Sequence, residues 1–342
     1  MFAFLDPRLT RDDTTDEDFA STLALDLGDE DMVYLAGPEP VTRIVRVAPA
    51  QVQGSAMDGL FAARRRVHGS AGVPGLSGAV LHVGGWFVLW QEGPQAAVQA
   101  ALQPSQRRQR YGTPRLIHRS VGPRTLAEPL ALSITQWPEK PERFAERIEA
   151  IAAAAPQLQP QQVWRAFSEP CTLAGARPLL IPQRVAVLAS DGQRSIEVAR
   201  RLADRFDHPL VYRRFAGARP GSRDVGAAYL DLPLPAALLR VLAVSRRAFA
   251  HPLVHESLRH AGRLTLLVGT QETRAMELAV GVAAFLGRAD LRPAIELVAE
   301  SPDVGSFVAG FLRNRTGLAV SEVEGRPGDA QLLALLMGSR AA

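Results

Sequence analysis

Two stretches in the second half of the sequence carry side chains that could do chemistry. His251 and His255 are one helical turn apart, with Glu256 and His260 close by. Two imidazoles at this spacing can bind zinc, but no third ligand is fixed and Pro252 interrupts the start of the helix. We therefore interpret these histidines as part of a polar helix face and predict no metal site.

The second stretch is LASDGQRS at residues 188–195, a turn that leads into an amphipathic helix. A helix N-terminus attracts anions, and Arg194 adds a positive charge there. Arg194 and Ser195 are therefore candidates for a weak anion site. The alternative is a turn at Ser190–Gly192 that only caps its helix. No Gly-x-Ser-x-Gly motif or carboxylate pair occurs in a convincing turn.

Composition narrows the class of protein. The 342 residues are 47% hydrophobic and 22% charged, which is typical of a globular protein with room for two domains. No apolar run reaches the roughly 18 residues of a membrane span, and we expect no secretory signal and no membrane partner. The single cysteine, Cys171, excludes an internal disulfide and fits a cytoplasmic location. No catalytic base lies near it in sequence, so we expect an inert thiol.

Charge is unevenly distributed. Ten of the 35 acidic residues lie in residues 1–31, whereas only two of the 39 basic residues do. Residues 1–34 are therefore predicted to be an acidic, partly disordered leader that folds over the basic body or contacts a partner. The arginines elsewhere are scattered, so no nucleic-acid partner is expected. The chain has one lysine, Lys140, and one asparagine, Asn314, which excludes chemistry that needs either residue elsewhere.

The first half is organised around a predicted β-hairpin at residues 74–93, PGLSGAVLHVGGWFVLWQEG. Gly84 and Gly85 form its turn, because a two-residue hairpin loop needs positive φ angles. Further strands are predicted at 41–48, 114–121 and 130–136, and helices at 54–67, 94–108 and 141–154. The order of these elements predicts a small α+β domain over residues 35–154.

The second half alternates buried strands with amphipathic helices, which predicts an α/β sheet covered on both faces, over residues 183–342. The predicted strands at 227–233 and 239–245 have too short a connection for a crossover and should be antiparallel neighbours. Residues 155–182 are rich in Pro and Gln and are predicted to be a linker, with Trp164 and Phe167 as possible anchors.

Residues 41–137 resemble the BLUF family of flavin-binding blue-light sensors. The resemblance rests on PGLSG (74–78), WFVLWQEG (86–93), AVQAAL (97–102) and PRLIHRSV (114–121). It implies a ferredoxin-like α+β fold and, in working members of the family, FAD photochemistry that uses a tyrosine, an asparagine and a glutamine.

The three residues that the resemblance places at the flavin are substituted. Arg46 stands at the tyrosine position, Ala71 at the asparagine position and Leu89 at the glutamine position. An arginine cannot give up its proton, and the other two side chains have no donor or acceptor. Gln91 lies two residues beyond Leu89, on the same face of the strand. We therefore expect an apolar cavity and no FAD; the alternative is a photoreceptor that binds FAD by non-standard contacts.

Residues 184–338 resemble a Ras-type small GTPase in element order, namely a strand, a turn, a helix, an antiparallel strand pair and three strand–helix units. In its phosphate loop the resemblance places Leu188 and Gln193 at the two glycines and Arg194 at the lysine, and Ser195 alone matches. The metal-binding and base-reading motifs are missing near 243–247 and 299–303. The resemblance therefore implies a three-layer, P-loop-like fold without its catalytic residues, a pseudo-GTPase.

Together these observations predict a non-enzymatic bacterial-type signalling protein that acts by contact with a protein partner or with a second copy of itself. An FAD-binding photoreceptor and a divergent GTP- or ATP-binding switch, with Arg194 and Ser195 as its anion ligands, are the alternatives.

Overall fold

A computed structural model describes residues 40–50, 73–102, 114–126, 131–136, 139–170, 182–217, 223–233, 238–325 and 327–338. The predicted leader (1–34), the predicted helix at 54–67 and Ala71 lie outside them.

Twelve strands and eight α-helices are present in the described residues. The strands are β1 (Val41–Pro49), β2 (Ser77–Val83), β3 (Trp86–Gly93), β4 (Arg115–Gly122), β5 (Ala131–Gln136), β6 (Gln183–Ala189), β7 (Leu210–Phe215), β8 (Val225–Pro233), β9 (Leu238–Val244), β10 (Arg263–Val268), β11 (Ala294–Ala299) and β12 (Val320–Glu324). The helices are α1 (Gln95–Leu102), α2 (Pro141–Ala154), α3 (Pro160–Ser168), α4 (Arg194–Phe206), α5 (Pro252–Leu258), α6 (Glu272–Ala289), α7 (Pro302–Thr316) and α8 (Asp329–Met337).

All twelve strands form one mixed sheet in the order β12-β11-β10-β6-β9-β8-β7-β5-β2-β3-β1-β4. The strands from β12 to β9 are parallel to one another, whereas β8 and β7 are antiparallel additions, and β8 pairs antiparallel with β9 as predicted. In the first half every pair is antiparallel except β2 with β5. The architecture is therefore α+β, a large mixed sheet with helices.

The predicted hairpin is present. Val83 pairs with Trp86 across the turn, and Gly84 and Gly85 have φ angles of 54° and 76°. A Cβ on Gly84 would also lie 3.0 Å from the Cβ of Phe144 on α2, so this turn requires glycine for both its conformation and its packing.

The sheet does not end between the two predicted domains. Strand β5 of the first half pairs antiparallel with β7 of the second, from Ser133 opposite Phe215 to Gln136 opposite Tyr212. Arg213, next to this junction, is buried and donates to the hydroxyl groups of Thr135 (3.3 Å) and Tyr229 (3.0 Å). The two halves are thus joined by backbone hydrogen bonds as well as by the chain.

The predicted linker is partly wrong, because its first half is folded. Helix α3 buries Val163, Trp164 and Phe167 against the core. The buried guanidinium of Arg147 on α2 donates to the carbonyls of Ala166 and Phe167, which satisfies the C-terminal end of α3. Few apolar residues of this helix face inward, and the Pro- and Gln-rich composition around them does not indicate a buried helix.

The main apolar core lies on one face of the sheet and includes residues of both halves, among them Trp90, Phe144, Phe167, Tyr229 and Leu266. A second cluster on the other face of the second half includes Val187, Leu202 and Leu336. Two side chains that the periodicity places on buried helix faces are exposed instead, Phe206 at 37% and Phe307 at 53%.

Candidate functional sites

The first candidate site is the sheet face that carries the substituted flavin positions. Strands β1 and β3 place Arg46 directly opposite Leu89. The Arg46 side chain is buried, and its guanidinium donates a short hydrogen bond to the side-chain oxygen of Gln91. Gln91 therefore lies on the same face as Leu89, as predicted, and it binds an arginine of the neighbouring strand.

Leu89 packs into a small apolar cluster. Its members come from several strands and from the segment after β7, and they are Phe87, Ala216, Ala50, Val80 and Ile134. Ala216 belongs to the second half of the chain, so the second half helps to fill this face. The expectation of apolar filling around Leu89 agrees with this packing.

The described residues do not fit the flavin site that the resemblance to BLUF proteins implies. Leu89 offers no hydrogen bond, and the amide oxygen of Gln91 is engaged by Arg46. His82 packs edge-on against Phe87, with ring centroids 5.2 Å apart, and burial lowers the pKa of His82. Ala71, the third family position, lies outside the described residues.

The second candidate site is the turn between β6 and α4, at the carboxyl end of the parallel strands. Ligands often bind at this edge of an α/β sheet. The Ser190 hydroxyl accepts a hydrogen bond from the backbone N–H of Gly269 (3.0 Å), and the Ser190 N–H donates to the carbonyl of Leu267 (3.0 Å). The turn is therefore fixed to the end of β10.

Both predicted anion ligands lie at this turn, and both are engaged within the chain. Arg194 forms an ion pair with Glu300 at 2.9 Å, and both side chains are about four-fifths buried. The Ser195 hydroxyl is buried and donates to the carbonyl of Val244 at 2.5 Å. The structure brings the two residues together, but their polar groups point to protein partners.

Each arginine at this turn is accompanied by a carboxylate, and a further carboxylate lies at the turn itself. The Asp191 carboxylate lies against Gly269, so close that a Cβ there would lie 2.1 Å from its Oδ2. The Arg246 guanidinium lies 3.7 Å from the Glu277 carboxylate, and the backbone N–H of Arg246 donates to the carbonyl of Gly192. A carboxylate at the turn and a carboxylate beside each arginine oppose the binding of a phosphate.

The histidines are not the polar helix face that their spacing predicts. The His251 ring accepts a hydrogen bond from the N–H of Leu253 (3.2 Å) and packs against Phe215 at 4.9 Å. The His255 ring lies between Phe249 and Phe285, at 5.3 and 5.1 Å. The spacing of the histidines along a short helix does not indicate these aromatic neighbours, because the neighbours come from other elements.

Burial, together with the charge of a nearby arginine, Arg288 for His255 and Arg165 for His260, lowers the pKa of both histidines to about 4. Both rings are therefore neutral near pH 7. Among the residues that the structure describes, no three His, Cys, Asp or Glu side chains are grouped so that they could hold a metal ion.

Sequence reasoning missed a buried ion network at the opposite end of β6. Glu169, just after α3, accepts from Arg184 (2.8 and 2.9 Å) and from Arg240 (2.7 Å), and Arg240 also binds Asp231 (2.7 Å). Burial alone would raise the pKa of Glu169, but the hydrogen bond from Arg184 and the charge of Arg240 hold it below its usual value. Glu169 and Arg240 are 71 residues apart, so no local pattern could indicate the pair.

No protein-family model matches the chain, and no curated protein matches it either. The dark-state structure of BlrB, a BLUF protein, shares 15% identity, covers 34% of this chain and 98% of its own, and gives a TM-score of 0.24. The BLUF structure of BlrP1 shares 16% identity over 38% of this chain and 88% of its own, at a TM-score of 0.25.

A longer solved structure, Klebsiella pneumoniae BlrP1 in a manganese and cyclic-diGMP complex, shares 14% identity. It covers 82% of this chain and 74% of its own, with a TM-score of 0.22. At these identities and TM-scores the likenesses carry no argument about the activity of this chain. No helix in the described ranges is long and apolar enough to cross a membrane.

Proposed function

We propose that this protein is a signalling or regulatory protein that acts through protein–protein contacts. In this proposal a BLUF-like first half and a Ras-like pseudo-GTPase second half share one sheet, and neither uses the ligand chemistry of its family. One observation carries the proposal: the polar groups at each ligand position are engaged within the chain, Arg46 with Gln91 and Arg194 with Glu300.

The order of elements in the second half supports the Ras-like interpretation. Strand β6, its turn and α4 are followed by the antiparallel pair β8 and β9 and by three strand–helix units, β10 with α6, β11 with α7 and β12 with α8. Strand β7 is an addition, and it is the strand that pairs with the first half.

Nucleotide hydrolysis is disfavoured by the residues present. A phosphate loop wraps the anion with backbone N–H groups and reaches it with a lysine, whereas the only lysine of this chain is Lys140. Arg194 could supply positive charge, but it is neutralised by Glu300. We therefore propose that the second half serves as a docking fold and carries no catalytic residue.

Calorimetric titration of the full chain with GTP and with ATP, in the presence of Mg²⁺, tests this proposal. We expect no binding by the natural protein. In the Glu300→Ala variant, which frees Arg194, weak binding would support the view that the ion pair closes the site. Tight binding by the natural protein that is lost in Arg194→Ala or Ser195→Ala would overturn the proposal in favour of a nucleotide switch.

A further inference from the structure

The two terminal strands of the sheet differ in how they end it. At one end Arg313 donates to the carbonyl of Val320 (2.8 Å) and to the Glu322 carboxylate, so the β12 end carries charge and side-chain cover. At the other end β4 exposes Leu116 (46%) and Val121 (65%). A terminal strand with exposed apolar side chains is a template for pairing with another strand.

The exposed side chains of β4 lie on one face. A bulge places Leu116 opposite Arg46 and Val121 opposite Thr42, and those two residues of β1 are on the same face of their strand. On the other face the strand is covered, because His118 contacts the carbonyl of Ala155 at 3.1 Å. An occupant of this edge would therefore add its apolar side chains beside Leu116 and Val121.

The charge of β4 selects among possible occupants. The strand sequence RLIHRSVG contains two arginines and no acidic residue; Arg115 is paired with Glu149 on α2, whereas Arg119 is exposed. A second β4 in antiparallel pairing would bring like charges together, which is unfavourable. An acidic segment with alternating apolar residues would match the strand better.

The sequence before β1 has this character. Residues 1–31 contain ten acidic residues, and the run TLALDL at residues 22–27 has leucine at every second position. Its position is also suitable, because Val41 at the start of β1 pairs with Gly122 at the end of β4. A strand added on the side of β4 that no described strand occupies would lie two strand spacings from β1, about 10 Å, a distance that about three extended residues can span.

We propose that residues 22–27 pair with the free edge of β4 in the same chain as a further strand. The leucines then cover Leu116 and Val121, and the neighbouring acidic residues lie near Arg119. The leader would thereby close an edge at which a partner strand could otherwise add. This inference stands on the edge and the leader and does not depend on the proposed function.

Disulfide trapping in the full chain tests this inference. In a Cys171→Ser background, Leu23→Cys, Leu25→Cys or Leu27→Cys is combined in turn with Leu116→Cys or Val121→Cys. We expect at least one pair to form a disulfide within the monomer, seen as faster migration on a non-reducing gel. The pair Leu25→Cys with Phe307→Cys on α7 is the matched control, because Phe307 is also exposed.

The charge contribution has its own control. Arg119→Glu should lower the yield of the trapped monomer several-fold, whereas Arg292→Glu, an exposed arginine beyond α6, should leave it unchanged. Added salt should lower the yield because it screens surface charge.

Three outcomes would overturn the inference. If none of the six pairs exceeds the Phe307 control, the leader does not occupy the edge. If Val121→Cys alone gives a disulfide-linked dimer, a second copy occupies it. If crosslinks form only between two chains, the leader pairs in trans.

Hydrogen exchange of the intact protein gives an independent check. Replacing Asp12, Asp13, Asp16, Glu17 and Asp18 by their amides should speed exchange in β4 and not in β12.

Discussion

In the mostly antiparallel first half, the buried guanidinium of Arg46 on β1 donates to the side chain of Gln91 on β3. Gln91 lies two residues beyond Leu89, the residue that faces Arg46 across the strands. In the parallel second half, Arg194 at a helix start meets Glu300 at the end of β11. The partner of Arg46 is a neutral amide among apolar side chains. The partner of Arg194 is a carboxylate at the carboxyl end of the parallel strands. In both halves the arginine is bound by a side chain of the same chain.

The halves also differ in what holds them. The first half depends on apolar packing around Trp90, Phe144 and Phe167. The second half adds the buried network of Glu169, Arg184 and Arg240, and Glu169 reaches it from the helix that packs on the first half. The two regions therefore share a sheet and an ion network, and we expect them to unfold together.

Removal of the shared carboxylate should have the largest effect. Glu169→Ala leaves Arg184 and Arg240 without their common partner, and breaking a buried ion pair costs about 3–5 kcal/mol of unfolding free energy. Urea denaturation measures it. Glu149→Ala, which removes a pair between two exposed side chains, Arg115 and Glu149, is the control and should not shift the midpoint measurably.

A core truncation in the second half should be felt in the first. Leu266 on β10 is fully buried, so Leu266→Ala should cost about 2–5 kcal/mol. All four tryptophans, at positions 86, 90, 137 and 164, precede the second half. Tryptophan fluorescence and far-UV circular dichroism should therefore shift to the same new midpoint. A fluorescence midpoint that stays unchanged while the dichroism shifts would show two independent units.

Acid should weaken the fold through His255. Its pKa is about 4 in the folded chain because its ring is buried, against 6.5 for the ordinary side chain. The contribution of the neutral His255 ring to the free energy of unfolding is therefore fully present above pH 6.5. It is lost as the pH falls towards 4, by up to about 3 kcal/mol. Glu256, whose pKa is raised by burial, acts in the opposite direction.

The effect of His255 is isolated by comparing the natural protein with His255→Gln. The variant should show a flatter loss of stability between pH 6.5 and 4, since Glu256 contributes to both proteins. Equal slopes in the two proteins would mean that His255 is solvated in the folded state.

The local elements were predictable and their long-range pairing was not. The hairpin of Gly84 and Gly85, the helix stop at Gly317 (φ 68°) and the antiparallel pairing of β8 with β9 follow from nearby residues. No sequence pattern indicates the pairing of β5 with β7. Its hydrogen bonds join backbone groups, which are alike in nearly all residues. Arg46 and Gln91 are 45 residues apart, so only the strand register shows that they meet.

We expect side chains of the chain itself to fill the face around Leu89 and to leave no place for a flavin. The direct test is to incubate the purified full chain with excess FAD, remove the free cofactor and record the absorbance spectrum before and after blue light. We expect no retained flavin band and no change on illumination, because the described side chains around Leu89 contact one another. A retained band that shifts to longer wavelength under blue light would contradict it.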